Sequence, residues 1–434
     1  MLSEATEADW RSATMRGDHI LLVGTGGSSG QTLALIEAAI AGIAPDTRFT
    51  FLDTQPFNLR TGGTTRYPGA GEVRMISPDA CGLRSWTGSQ TLNLALNGGP
   101  FAYRRMIARC RAAMAPQPDA VVICHDRIYV ETAALEAARA GGTPTILLQE
   151  GPFCAIGNMQ AQSRKLRLKA ALAPLANRSG VLPPIPDYGM FGHDLVLAAS
   201  PAYRQRWVEA GLPPSSVEVC GVPRFDRLHG AAAAPRQRNG APLRLLYLTQ
   251  PFAAHGKVSH EAAQAALQVM ADGLNRARRE LDLELVIRVH PRSAGEDVAQ
   301  LRALLDFAAS TDDGSTGIEQ ALAGADAAIG HYSTGLLEAL LLNRPALCVP
   351  VASEGFAEAA EARKQVWLTT TGIPVARSAD SFTAALRLIA AGQAMDGIDW
   401  GTVEEETGRA DGLACETAAR SILSVMDRRR AGLR

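Results

Sequence analysis

Short apolar runs recur along this chain, each followed by a turn and then by a helical pattern. That alternation admits few architectures. A strand that is apolar at consecutive positions must be covered on both faces, and parallel strands joined through helices meet that need. In the first half the runs fall at 19–23, 49–52, 120–124, 144–148, 194–199 and 217–220, with helical stretches at 31–41, 100–114, 131–140 and 201–210. Residues 54–89, rich in Gly, Thr, Arg and Pro, read as a long loop region. In the second half, strands at 243–248, 283–289, 326–329, 346–351 and 366–368 alternate with helices at 260–280, 298–308, 336–342 and 379–391. Residues 229–242, with Ala231 to Ala234 and Arg236-Gln237-Arg238-Asn239-Gly240, have linker composition. We expect an α/β protein of two doubly wound domains facing across a cleft. The boundaries read 1–230, 240–413 and a C-terminal helix within 414–434, expected to pack back on the first domain. A length of 434 residues independently favours two cores over one.

Bulk chemistry removes several function classes. Lys and Arg total 43 against 44 for Asp and Glu, so no global field favours nucleic acid. The first eighteen residues are charged throughout and do not form a signal peptide. No stretch approaches the roughly 20 apolar residues of a membrane span. Seven cysteines are scattered without a C-x-x-C pair, which argues for reduced thiols in a cytoplasmic protein and against a zinc site. The basic stretch 162–169 reads as a solvated helix, or as a contact with an anionic membrane surface or a phosphate-bearing acceptor. A second run, Arg104, Arg105, Arg109 and Arg111, reads as a solvated helix face.

In an open parallel sheet, ligands gather outside the carboxyl ends of the strands. The first strand ends in Gly24-Thr25-Gly26-Gly27-Ser28-Ser29-Gly30, and Asp53 ends the second. The pairing resembles a dinucleotide opening, but the spacing is not G-x-G-x-x-G. Gly26, Gly27 and Ser28 therefore form a structural turn or a loop facing an acceptor. Further on, 120–124 delivers His125 and Asp126, and 144–148 delivers Gln149-Glu150-Gly151-Pro152. Glu150 or Asp126 is placed to serve as general base toward a hydroxyl, or simply to cap a loop.

The second half repeats the pattern with phosphate chemistry. Residues 243–248 deliver Thr249-Gln250-Pro251, and 283–289 deliver His290-Pro291-Arg292. Pro291 stops the strand so that the His290 imidazole projects from its edge, where it can donate to a phosphate oxygen. After 326–329 comes Gly330-His331-Tyr332-Ser333-Thr334-Gly335, opening a helix that carries Glu338. Such a turn offers unpaired N–H groups to a phosphate, and Glu338, one turn on, suits ribose hydroxyls. The alternative is that Ser333 caps the helix and Glu338 offsets its dipole.

Four of these pieces, in order from Gln149 to Thr334, resemble the GT-B glycosyltransferases, specifically bacterial sialyltransferases, polysialyltransferases and Kdo transferases of surface-polysaccharide synthesis. Gln149-Glu150-Gly151 is similar to the family's acidic-acidic-Gly motif, with Gln149 where many relatives carry an acid. His290-Pro291 resembles the His-Pro motif, and Ser333-Thr334 the Ser/Thr motif. Gly221-Val222-Pro223-Arg224-Phe225-Asp226 resembles a Gly-Asn-Pro-Arg-Phe-Asp run, with Val222 in place of Asn. The resemblance implies two Rossmann-like domains and metal-independent transfer of a sugar to a glycan or lipid-linked hydroxyl, with no cofactor beyond the nucleotide-sugar co-substrate. The expected donor is a CMP-activated Kdo or sialic-type sugar.

In that picture Glu150 is the base, with Asp126 and His125 beside it. Thr249, Gln250, His290, Pro291, Arg292, Ser333, Thr334, Gly335 and Glu338 hold the nucleotide sugar. The bacterial protein is expected in the cytoplasm, with peripheral contact at the inner face of the membrane. UDP-N-acetylglucosamine 2-epimerases and the glycerol-phosphate polymerases of teichoic acid synthesis share parts of this layout, and a non-catalytic nucleotide-sugar binder is the third rival.

Overall fold

The computed structural model describes residues 18–58, 66–84, 90–152, 185–230, 240–250, 253, 258–290, 293, 295–351 and 371–432. Two all-parallel sheets organise it. The first contains β1 (His19–Gly24), β2 (Arg48–Asp53), β3 (Glu72–Met75), β4 (Ala120–Ile123), β5 (Thr145–Leu148), β6 (Leu195–Ala198) and β7 (Val217–Val219). Its order is β3-β2-β1-β4-β5-β6-β7. The second contains β8 (Leu243–Leu248), β9 (Leu283–Arg288), β10 (Ser310–Asp312), β11 (Ala327–Gly330) and β12 (Ala346–Cys348), in the order β10-β9-β8-β11-β12.

Burial follows from the strands' composition. β1, β4, β5 and β6 are fully buried, as uninterrupted apolar strands between helical layers must be. One face of the first sheet packs Ile20, Leu22, Val122, Ile146 and Leu197 against the helices Ser28–Ile43 and Ala414–Arg430. The opposite face packs Leu21, Val121, Leu147 and Val196 against Tyr103, Met106, Ala134 and Tyr203. That second core is continuous with Leu246 and Leu248 of the other sheet and with Leu336, Leu337 and Leu340 of the helix Gly335–Leu341, so one apolar cluster spans both sheets. The far face of the second sheet forms a separate core with the helices His260–Arg278 and Ala379–Ala390.

The chain returns to the first sheet after the second is complete. The helix Trp400–Thr407 places Glu406 2.5 Å from the Tyr203 hydroxyl and 2.8 Å from Arg206, both on the helix Pro201–Glu209. The helix Ala414–Arg430 then begins on Asp226, whose two carboxylate oxygens accept the N–H groups of Ala414 (3.0 Å) and Cys415 (2.7 Å). No side chain of its own caps this helix, so Asp226 satisfies two of the donors that a helix start leaves unpaired.

Several elements depart from the sequence reading. β3 lies in the stretch read as loop. It is a short edge strand with Val73 and Met75 47% and 65% exposed, so it lacks the apolar continuity that marks the others. The helices Gln90–Leu96 and Trp400–Thr407 and the strand β10 were likewise not read. The first helix starts at Ser28, three residues earlier than the apolar pattern suggested. The expected strand 366–368 and the basic stretch 162–169 lie outside the described residues.

Candidate active site

Each sheet reverses its winding once, between β1 and β4 in the first and between β8 and β11 in the second. A crevice opens where neighbouring crossovers leave a sheet on opposite faces. At the first reversal lie the turn after Gly24 and the segment Cys124-His125. At the second lie Thr249-Gln250 and His331 to Thr334. One open cleft of about 230 Å³ is lined by residues from both sides, among them Ser28, His125, Glu150, Tyr188, Arg224 and Thr334.

Glu150 follows β5, and its position is fixed by the residue before it. Gln149 is fully buried. Its Nε2 donates to the Gly151 carbonyl (3.0 Å) and its Oε1 accepts the Ala199 N–H (2.9 Å), tying the end of β5 to the end of β6. An amide does both; an acid in its place could not donate to Gly151. This accounts for glutamine at that position. Glu150 itself is half-buried, and its Oε2 is a buried atom with no hydrogen-bond partner. Such atoms are uncommon and point to a missing partner.

His125 lies beside it, half-exposed, with Nδ1 2.9 Å from the buried Glu131 carboxylate. Burial alone would lower its proton affinity, but the charges of Glu131, Glu150 and Asp126 outweigh that and raise it. Burial in turn pushes the Glu131 carboxyl up, while His125 pulls it down. The surrounding carboxylates thus favour the protonated imidazole.

Asp126 does not join the lining. It is fully buried, and its Oδ2 accepts the Gly189 N–H (3.0 Å) and lies 3.2 Å from His193 Nε2. Asp126, expected as an alternative base, is turned inward, where it holds the loop that presents Tyr188. Tyr188 donates to the Cys124 carbonyl (3.0 Å) and lines the cleft. Gly189 has φ +80°, and a Cβ there would fall 2.5 Å from Trp207 Nε1, so only glycine fits the turn.

On the acceptor-side turn, Ser28 is exposed and lines the cleft, whereas Gly26 is buried and Gly27 caps the helix through its carbonyl, accepting the Gln31 N–H (3.0 Å). A Cβ at Gly30 would sit 2.5 Å from the Thr25 carbonyl oxygen, which is why the turn closes so tightly.

On the second sheet, Thr334 reaches the cleft while the Ser333 hydroxyl accepts the Gly335 N–H (3.1 Å). Gly335 lets the helix Gly335–Leu341 lie close to β8, since a Cβ would stand 2.6 Å from Leu248 Cδ1. The buried Thr249 hydroxyl accepts the His290 N–H (2.7 Å), so Thr249 joins β8 to β9 instead of facing the cleft. His290 is half-buried at the end of β9 and is not among the lining residues. Gln250 is half-buried, with its Oε1 buried and unpaired. Pro291 and Arg292 lie outside the described residues. Glu338 is buried and stands 3.2 Å from the Arg224 guanidinium. Burial raises its carboxyl pKa, while Arg224 and Arg227 pull it back. Among the described residues, no three His, Cys, Asp or Glu side chains converge to hold a metal ion.

No protein-family model and no curated protein matches the chain. Solved structures match it over nearly its whole length. A UDP-N-acetylglucosamine 2-epimerase from Neisseria meningitidis bound to UDP-GlcNAc superposes with a TM-score of 0.54 at 12% identity, covering 95% of this chain and 100% of its own. The kitacinnamycin glycotransferase gives 0.51 at 15%, covering 96% and 100%. The wall teichoic acid polymerase TagF gives 0.51 at 12%, covering 95% and 89%.

The fold is GT-B.

Within this GT-B frame, sequence reading did not single out two lining residues, Tyr188 and Arg224. Arg224 lay in the Gly221-to-Asp226 run, whose resemblance carried a signal without a role. Tyr188 lay in a proline-rich loop with no periodicity to mark it. Val222, the run's departure from Asn, is 1% exposed in the shared core, where an apolar side chain belongs.

Proposed function

We propose that the protein transfers a sugar from a nucleotide-activated donor to an acceptor hydroxyl, with Glu150 as the general base. One observation carries the reading: Glu150, whose buried Oε2 has no hydrogen-bond partner, lines the same cleft as Thr334 from the opposite sheet. In this reading the acceptor O–H gives its proton to Glu150 as its oxygen bonds to the anomeric carbon. The bond from that carbon to the nucleotide's phosphate oxygen breaks, and the nucleotide leaves with the electron pair. Thr334, His290 and Ser333 serve the phosphate. Arg224 supplies positive charge in the cleft, and His125 donates to the acceptor or sugar. Charge-directed donors of this kind act most strongly where water is excluded.

The donor we favour is a CMP-activated Kdo or sialic-type sugar, on the strength of the four motifs. The acceptor class is a glycan or lipid-linked hydroxyl. A second reading, epimerisation of UDP-N-acetylglucosamine, draws support from the fold shared with the Neisseria meningitidis epimerase.

A thermal-shift panel of CMP, UDP, GDP and CDP tests the donor, because a bound nucleotide raises the unfolding midpoint by mass action. Incubation with UDP-GlcNAc without acceptor separates the two chemistries: formation of the 2-epimer supports the second reading and overturns the first. For a transferase, Glu150→Gln lowers turnover by about 10²- to 10⁴-fold, the usual worth of a positioned base. Its nucleotide-induced shift stays that of the wild type. Unchanged turnover would move the base elsewhere.

A further inference from the structure

The helices Gln90–Leu96 and Pro100–Ala113 carry a surface that the cleft chemistry does not use. Leu92, Leu96 and Phe101 are 56%, 72% and 68% exposed. Scattered exposed apolar side chains need no explanation, but three fall within residues 92–101, on two successive helices. The electrostatic setting is one-sided. Residues 80–118 contain five arginines (Arg84, Arg104, Arg105, Arg109 and Arg111) and no Asp, Glu or Lys, although the whole chain carries a net charge of −1.

Hydrogen bonds hold charge and apolar surface together. Asn97 accepts the Arg84 N–H at its Oδ1 (2.6 Å) and donates to the Arg84 carbonyl (2.9 Å). Its own carbonyl accepts from the Arg105 guanidinium (3.0 Å). Asn97 directly follows the exposed Leu96. On the next helix, Ala102, Tyr103, Met106 and Cys110 face the core, leaving Phe101, Arg104, Arg105, Ala108 and Arg111 outward. One hydrogen bond ties the first of these helices to the segment after β4. The Gln90 side chain accepts the N–H of Tyr129 (3.2 Å), the first residue of the helix that follows the His125 segment.

We propose that this face docks on an anionic lipid surface. Leu92, Leu96 and Phe101 enter the interface, and Arg84, Arg104, Arg105, Arg109 and Arg111 meet the lipid phosphates. Apolar insertion combined with basic side chains is the combination that holds a protein at such a surface. The proposal deepens the reading above, in which the acceptor class includes a lipid-linked hydroxyl. Vesicle binding is measured without donor or acceptor, so its failure and the failure of the transferase reading are distinguishable.

The test is co-sedimentation of the full chain with vesicles of phosphatidylcholine alone, or of phosphatidylcholine with phosphatidylglycerol. Retention is expected on the anionic vesicles only and is released by salt. Each arginine near such a surface contributes about 1 kcal/mol, so Arg104→Gln with Arg111→Gln weakens retention about 30-fold. Leu96→Glu with Phe101→Glu abolishes it. All four side chains are exposed, so the unfolding midpoints of both variants stay at the wild-type value. Equal retention on neutral vesicles, retention unaltered in the variants, or no retention overturns the proposal. So does a dimer in sedimentation velocity that Leu96→Glu dissolves without any vesicle binding, which would assign the face to a second copy.

Discussion

Arg224 and Glu338 meet at 3.2 Å across the gap between the two sheets, with side chains 19% and 9% exposed. Arg224 follows the last strand of the first sheet, and Glu338 lies on the helix after β11 of the second. The same arginine lines the cleft beside Gly151, so one guanidinium faces the site and the opposite lobe at once.

Arg224→Ala should leave Glu338 buried without its nearest cation. Breaking one side of a buried pair costs about 3 kcal/mol, because the remaining charge is uncompensated. The unfolding midpoint falls accordingly, and Glu338→Gln in that background restores most of it. Additive losses in the double variant, measured by denaturant unfolding, would show that the pair contributes nothing.

Gln149→Glu brings the sequence closer to the acidic motif it resembles, yet we expect it to destabilise the fold. The Gly151 carbonyl loses its donor, and a second carboxylate is buried next to Glu150. An unmade buried hydrogen bond costs about 1–3 kcal/mol, and the added charge deepens the loss. Urea unfolding reads this directly; a variant as stable as the wild type would remove the bracing role given to Gln149.

The His125 environment predicts a pH dependence of stability. Its folded-state pKa is raised, so the native state holds the proton more tightly than the unfolded chain does. That stabilisation is complete below the unfolded value of about 6.5 and is lost as pH rises through the higher folded value. Unfolding free energy should therefore decline on the alkaline side of pH 6.5, and His125→Gln should flatten the decline. Parallel slopes in the two proteins would mean that another group titrates there.

The sequence made the sheets legible where burial is complete. Strands such as β1, β4 and β5 announce themselves because nearly every residue is apolar, and strand ends then locate His125, Glu150 and Thr334. It was silent where the signal is short or made of tertiary contacts. β3 is a four-residue edge, and the helix Trp400–Thr407 is held by Glu406 meeting Tyr203 and Arg206 some two hundred positions away. Asp126 shows the limit for chemistry. A strand-end acid reads alike whether it faces a ligand or, as here, a backbone N–H inside the protein. Thr249 illustrates the same point with a hydroxyl.

The helix Ala414–Arg430 has a consequence for how the molecule is made. It covers Ile20, Leu22 and Val122 with Ile422, Val425 and Met426, and its start is held by Asp226. Each of those three side chains is worth about 1.5–3 kcal/mol once buried, and none is available until that helix has left the ribosome. The first sheet thus waits for a helix translated after the whole of the second sheet, with an apolar face open in the meantime. Nascent-chain quality control would meet this protein at its amino-terminal lobe, and a premature stop anywhere before Ala414 would leave that lobe without its cover.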